Sequence, residues 1–250
     1  MHEMQASEFY GSTENWASLP DSRIDDSIKK FFYEATGNSR FPNQWSRILG
    51  IDYDTVGSEF YELLQNSDDP KVSMHLALDG NNLFTILLKV EVEIENHLHT
   101  HFFKSGMEDD GRIFDISNTP IPSELTAIYG ISTELRNQLA YNWLVSIAPT
   151  KDLFYSFAAN DTDNKLIEGN YTLVRALYYP IRDNSLKALI RTVKEESSFK
   201  IRFGVNPSDF SVDKDLFTLI VEIGDPETGQ TTYLDFVGAC PPACSGDGNT

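Results

Sequence analysis

Cysteine is nearly absent from this chain: Cys240 and Cys244 are the only two. That count excludes a disulfide-stapled small scaffold, which needs several bridges. Long apolar runs are missing as well. The longest, such as Ile86-Leu87-Leu88, fall far short of the ~20 residues a membrane helix requires. Positive charge is scarce, with 20 Lys and Arg against 38 Asp and Glu and a net charge of −18. So acidic a surface repels phosphate backbones and anionic lipid, so neither nucleic acid nor membrane is expected as a partner. The opening MHEMQASEFYGSTENW has no basic end and no apolar centre, so no leader is expected and the expected setting is the cytoplasm. Also lacking are Gly-x-Ser-x-Gly, a phosphate-binding glycine turn and a dinucleotide fingerprint. Their absence removes the best-marked enzyme classes and leaves sites that carry no motif.

What is present is a folding composition, with 40% apolar and 12% aromatic residues in 250. Residues 1–20 are polar with scattered aromatics and read as an irregular arm. Pro20 and Asp21 open a helix that places Ile24, Ile28, Phe31 and Phe32 on one face and stops at Gly37-Asn38. A second helix, DYDTVGSEFYELLQN, turns Val56, Phe60, Leu63 and Leu64 inward. The period then changes. KVSMHLALD alternates, LFTILLKVEVEIENHLHTHFF reads as one long strand, and GRIFDIS reads as a third. A helix beginning at Ser132-Thr133 follows.

The second half repeats that order with the helix RDNSLKALIRTVKEES and the strands FKIRFGV, DLFTLIVEI and TTYLDFV. LFTILLKVEV at 83–92 matches LFTLIVEIGD at 216–225, and IFDISNTPIP at 113–122 matches YLDFVGACPP at 233–242. At a constant offset, Phe60 aligns with Leu189, Leu64 with Val193, Val72 with Ile201 and Met74 with Phe203. The expected fold is therefore α+β, an internal duplication of a helix-helix-strand-strand-strand unit. It has antiparallel sheets with helices on one face and pseudo-twofold symmetry. The expected boundaries are the arm at 1–20, repeats at 21–125 and 126–238, and a tail at 239–250, all in one compact domain.

Three histidines, His97, His99 and His101, alternate directly after Glu91, Glu93 and Glu95. If the segment is one strand, all six share a polar face opposite Val92, Ile94 and Leu98, the pattern of a half-buried strand. Two histidines at that spacing can reach one metal, whereas three cannot, because the outer two lie roughly 13 Å apart. A site would need another ligand, such as His75, Glu108, Asp109 or Asp110. Zinc is the candidate cofactor. The other reading is an edge strand used in self-association and made pH-sensitive by its histidines.

Cys240 and Cys244 flank a Pro-Pro-Ala segment. They read as packed or free thiols, as a disulfide if the segment turns, or as half of a metal site. Residues 160–169, NDTDNKLIEG, begin like a calcium loop, but Lys165 occupies a ligand position. Residues 172–202 gather Arg175, Arg182, Lys187, Arg191, Lys194, Lys200 and Arg202. They form either a solvated face or a docking patch for acidic groups, including the chain's own. The combination KIRFGV followed by LDFVGACPPAC resembles a group of small bacterial proteins. In these an Arg-x-x-Phe-Gly-type strand precedes an Asp-Phe strand and a Cys-Pro-Pro-x-Cys tail. The likeness covers roughly residues 199–244, and it implies no activity.

These observations together point to a non-enzymatic binding protein, self-associating or holding a protein partner. The alternatives are a metal-dependent hydrolase built on the histidine strand and an acidic antagonist of a basic protein.

Overall fold

The structure is a computed structural model that describes residues 1–35, 45–107, 111–116, 131–145, 151–159, 171–181, 183–206 and 216–236. In chain order the elements begin β1 (His2–Glu3), α1 (Ala6–Ala17), α2 (Asp21–Phe32), β2 (Tyr33–Ala35) and β3 (Trp45–Thr55). Next come α3 (Ser58–Asn66), β4 (Lys71–Leu78), β5 (Phe84–Ile94), β6 (His97–Lys104) and β7 (Arg112–Ile116). Then follow α4 (Thr133–Val145), β8 (Tyr155–Ala159), β9 (Tyr171–Arg175), β10 (Tyr178–Ile181) and α5 (Asp183–Thr192). The last strands are β11 (Ser198–Asn206), β12 (Leu216–Gly224) and β13 (Thr231–Phe236).

The fold is α+β, with two main antiparallel sheets and helices. Sheet A runs β1-β6-β5-β4-β10. Sheet B runs β13-β12-β11-β3-β2, with β7 also paired to β3. β8 and β9 form a separate pair. In each main sheet three consecutive strands make a meander, β4-β5-β6 or β11-β12-β13, preceded in sequence by a helix, α3 or α5. The strand ahead of that helix lies in the opposite sheet. β3 precedes α3 but pairs with β11, and β10 precedes α5 but pairs with β4.

Alternation in the meanders fixes which faces meet. Met74, Leu76, Leu78, Phe84, Ile86, Leu88 and Val90 of sheet A are buried, as are Phe199, Ile201, Phe203, Phe217, Leu219 and Val221 of sheet B. Phe84 touches Phe203 and Phe217 across the gap, with ring centroids 5.4 and 5.9 Å apart. Phe32, Trp143 and Phe154 fill the same space. Each such buried ring contributes roughly 1.5–3 kcal/mol of transfer free energy. Two phenols tie the sheets together. Tyr53 of β3 donates to the Ile86 carbonyl at 2.5 Å, and Tyr179 of β10 donates to the Phe217 carbonyl at 2.7 Å. Gly50 permits the close approach of β3 to β11, because a Cβ there would overlap the Ile201 carbonyl.

Several expectations change. The segment expected to be an irregular arm contains α1. Phe9 and Trp16, seven positions apart, lie two helical turns apart on one side, and both are buried while the polar majority faces water. The segment expected as one long strand is a hairpin. Glu95 and Asn96 both take positive φ, 51° and 62°, and turn the chain back so that Ile94 faces His97. The third strand of the first meander is therefore β6. The match of 113–122 to 233–242 does not join equivalent strands, since β7 pairs with β3 whereas β13 pairs with β12. The helix expected to run to Gly37-Asn38 ends at Phe32, where β2 begins, and β1, β3, β8, β9 and β10 are likewise strands that the sequence pattern does not announce. The helix expected at the second segment begins at Ser58, after β3, with Gly57 at its N-cap.

Candidate functional site

The hairpin decides what the histidines face. Directly opposed residues in an antiparallel pair share a face. His101 lies opposite Val90, His99 opposite Val92 and His97 opposite Ile94. The histidines therefore continue the core-facing side of β6, beyond buried Phe103, and not the side of Glu91 and Glu93. The expected grouping of glutamates and histidines on one face is overturned because the turn at Glu95-Asn96 reverses the strand.

One of the three histidines meets acidic groups. β1 lies beside β6 with Glu3 opposite Phe103, so Glu3 and His101 point the same way. His101 Nδ1 is 2.9 Å from Glu3 Oε1. The first turn of α3 brings in Glu59, anchored by Phe60 packing edge-on against Phe103 at 5.3 Å. One donor atom each from Glu3, Glu59 and His101 lie within 4.8 Å of one another, a donor set able to hold a metal ion. The Glu59 carboxyl is raised above its ordinary range, first by burial, then by its hydrogen bond to the Glu3 carboxyl and the Glu3 charge. His101 opposes that rise. His97 and His99 join no such group among the described residues. His75, expected as an extra ligand, lies on the other face of sheet A; Glu108, Asp109 and Asp110 lie outside the described residues. So do Cys240, Cys244 and the loop 160–169.

The outer face of sheet A holds a second feature. β4, β5 and β10 present Ser73, His75, Lys89 and Tyr178 there, and α1 stands over part of the sheet. Met4, Phe9, Ala77, Leu87 and Phe102 make a small core beneath α1. Cavities of about 400 and 390 Å³ adjoin, sharing His75, Lys89 and Tyr178. The three shared side chains border both, so the two hollows lie side by side along this face. The hollow beside α1 is lined by Phe9, Tyr10 and Leu177, and the other by Lys71, Ser73 and Glu91. His75 stacks on Tyr178 with ring centroids 4.8 Å apart, meets the edge of Phe9 and lies 2.9 Å from Ser73 Oγ. Burial, reinforced by Lys89, pushes the imidazole down to about 3, so it is neutral at physiological pH.

No family model, curated protein or solved structure matches this chain. The functional reading rests on the geometry.

The basic stretch at 172–202 is largely spent inside the molecule. Arg175 pairs with Asp21, Lys194 with Asp225 and Glu227, Lys200 with Asp52 and Arg202 with Glu222. Glu222 also receives Arg136, so its buried carboxylate is neutralised from two sides. Arg182 lies outside the described residues, while Lys187 and Arg191 are exposed on α5. Among the described residues no helix is long and apolar enough to cross a membrane.

Proposed function

We propose that this chain is a non-enzymatic, cytoplasmic binding protein that seats a segment of a protein partner in a groove made by these two hollows on the outer face of sheet A. The observation that carries this reading is the adjacency of the two cavities, both bordered by His75, Lys89 and Tyr178. The groove offers aromatic walls for an apolar anchor and a polar end for orienting groups, the usual division of labour in a binding cleft. The space between the sheets, by contrast, is filled by interlocked rings. The scaffold is read as a duplication with pseudo-twofold symmetry. The reciprocal placing of β3 and β10, and the paired ties made by Tyr53 and Tyr179, support that reading.

A matched pair of exposed tyrosines tests the groove. Tyr10, at the groove, is 55% exposed, and Tyr141, on α4 against sheet B, is 50% exposed. A photo-crosslinking residue at position 10 is expected to capture a partner that the same residue at position 141 does not. Tyr178→Ala abolishes that capture. Equal capture from both positions sinks the proposal.

Self-association is a companion reading, favoured by one observation. Strand β1 covers β6 only at Phe103 and Lys104, with one further bond from the Met4 amide to the Phe102 carbonyl. Beyond that point β6 is an edge among the described residues, and Leu98 and Ile94 at the tip of the β5–β6 hairpin are 66% and 47% exposed. Light scattering is expected to give a dimer at neutral pH and a monomer for Leu98→Lys. The hydrolase alternative rests on the metal-capable cluster, which among the described residues joins His101 to two carboxylates. The antagonist alternative rests on net charge alone.

A further inference from the structure

We propose that Glu3, Glu59 and His101 bind one zinc-type divalent cation at the base of the β5–β6 hairpin. The three donors come from three separate elements, β1, α3 and β6, and stand within 4.8 Å of one another. A tetrahedral ion with bonds of about 2.0–2.2 Å sets its ligand atoms about 3.4 Å apart. The contact between His101 Nδ1 and Glu3 Oε1, at 2.9 Å, already approaches that spacing. Small rotations of partly exposed side chains bring Glu59 in. One imidazole with two carboxylates suits zinc and its neighbours in the first transition row. Calcium and magnesium favour shells made entirely of oxygen, with six or more ligands. A fourth coordination position remains for water.

A second observation is independent of the cluster. The site lies between two surface cavities, of about 300 and 490 Å³, and Glu59 lines both. The remaining ionisable lining consists of the Met1 ammonium, His2, Glu3, Glu62, Asp68, Glu93 and Glu95, with no Lys or Arg in either. Lys104, the nearest cation along β6, is committed to Glu8 at 2.7 Å. An exogenous cation therefore meets mainly carboxylates, and the resident Met1 ammonium is held by the Tyr53 and Thr55 carbonyls at 2.6 Å each. The bound cation would also pin β1, whose ladder to β6 has only two register pairs.

The test is zinc titration calorimetry on the full chain, free of any affinity tag, at neutral pH. One equivalent is expected to bind, with affinity falling about tenfold or more in Glu59→Gln and in His101→Ala. His97→Ala and His99→Ala are expected to leave affinity unchanged. Cobalt substituted for zinc is expected to show a visible spectrum without a thiolate charge-transfer band, which separates this site from one at Cys240 and Cys244. Circular dichroism verifies that each variant is folded, and Glu59→Gln is nearly isosteric. The proposal is overturned by absence of binding at micromolar zinc, by wild-type affinity in Glu59→Gln, or by a thiolate band.

Discussion

The hairpins that close the two meanders share a core pattern and differ at their tips. In β12–β13, Asp225 accepts hydrogen bonds from the Glu227 and Thr228 amides, Gly229 supplies the positive φ, and Lys194 clamps Asp225 and Glu227. Its outer edge is also engaged, the Ile131 amide donating to the Tyr233 carbonyl. In β5–β6 the turn is two residues long, both carry side chains at positive φ, and the tip is exposed. Buried positions correspond between the halves: Phe60 with Leu189, Val72 with Ile201 and Met74 with Phe203 all lie in the core. The meanders differ in register by two residues from the sequence alignment, since Ile201 faces Val221 and not Ile223. An even slip preserves which side faces inward. The contrast shows that burial constrains the middle of each strand, while the ends are free to brace the fold or to project from it.

The largest effect that could break this correspondence is in the core. Phe84→Ala and Phe217→Ala, at matched places in the two meanders, are each expected to cost about 3–5 kcal/mol in chemical denaturation. A small loss at one and a large loss at the other would show that the two halves do not share the core equally. Next comes acid. Neutral His75 in the folded state has its pKa pushed to about 3, below the unfolded value of about 6.5. Its contribution is therefore complete above about 6.5 and is lost progressively as pH falls toward 3, by about 2 kcal/mol at pH 5. Denaturation midpoints at pH 7 and pH 5 measure this, and His75→Phe flattens the slope. The second half has no matching histidine.

Tyr53→Phe and Tyr179→Phe are expected to cost about 1–2 kcal/mol each, and similarly, because each removes a buried tie to a carbonyl of the facing sheet. Unequal losses would argue against a twofold relation. The smallest effect is at the tips. Replacing Glu95 by Asn together with Asn96→Gly is expected to stabilise by about 0.5–1 kcal/mol, as those residues suit positive φ. Gly229→Ala is expected to destabilise by a comparable amount. Thermal melts resolve both.

The alternating strands and the helices α2, α3 and α5 were legible because their apolar period is strong, and α4 was legible from its start at Ser132-Thr133. Other features were hidden for physical reasons. In β3 the run Ile48-Leu49-Gly50-Ile51 does not alternate, since the strand is buried beside β11 and bulged. In α1 only Phe9 and Trp16 are buried, too few to outweigh a polar composition. The hairpin turn escaped notice because Glu95 replaces the glycine or asparagine expected at such a position. The histidine cluster was half legible. His101 stood out, but Glu3 lies 98 positions away and reaches it only through the pairing of β1 with β6. No local pattern announces a ligand that arrives from another element.

Proline at position 180 has a consequence for assembly. Strand β10 ends sheet A on one side, and Pro180 has no amide hydrogen to offer there. At the far side of the sheet, among the described residues, β6 stays open past Phe102. Among the described residues, the β6 side of this sheet is therefore better suited than the β10 side to receive a strand from a second molecule.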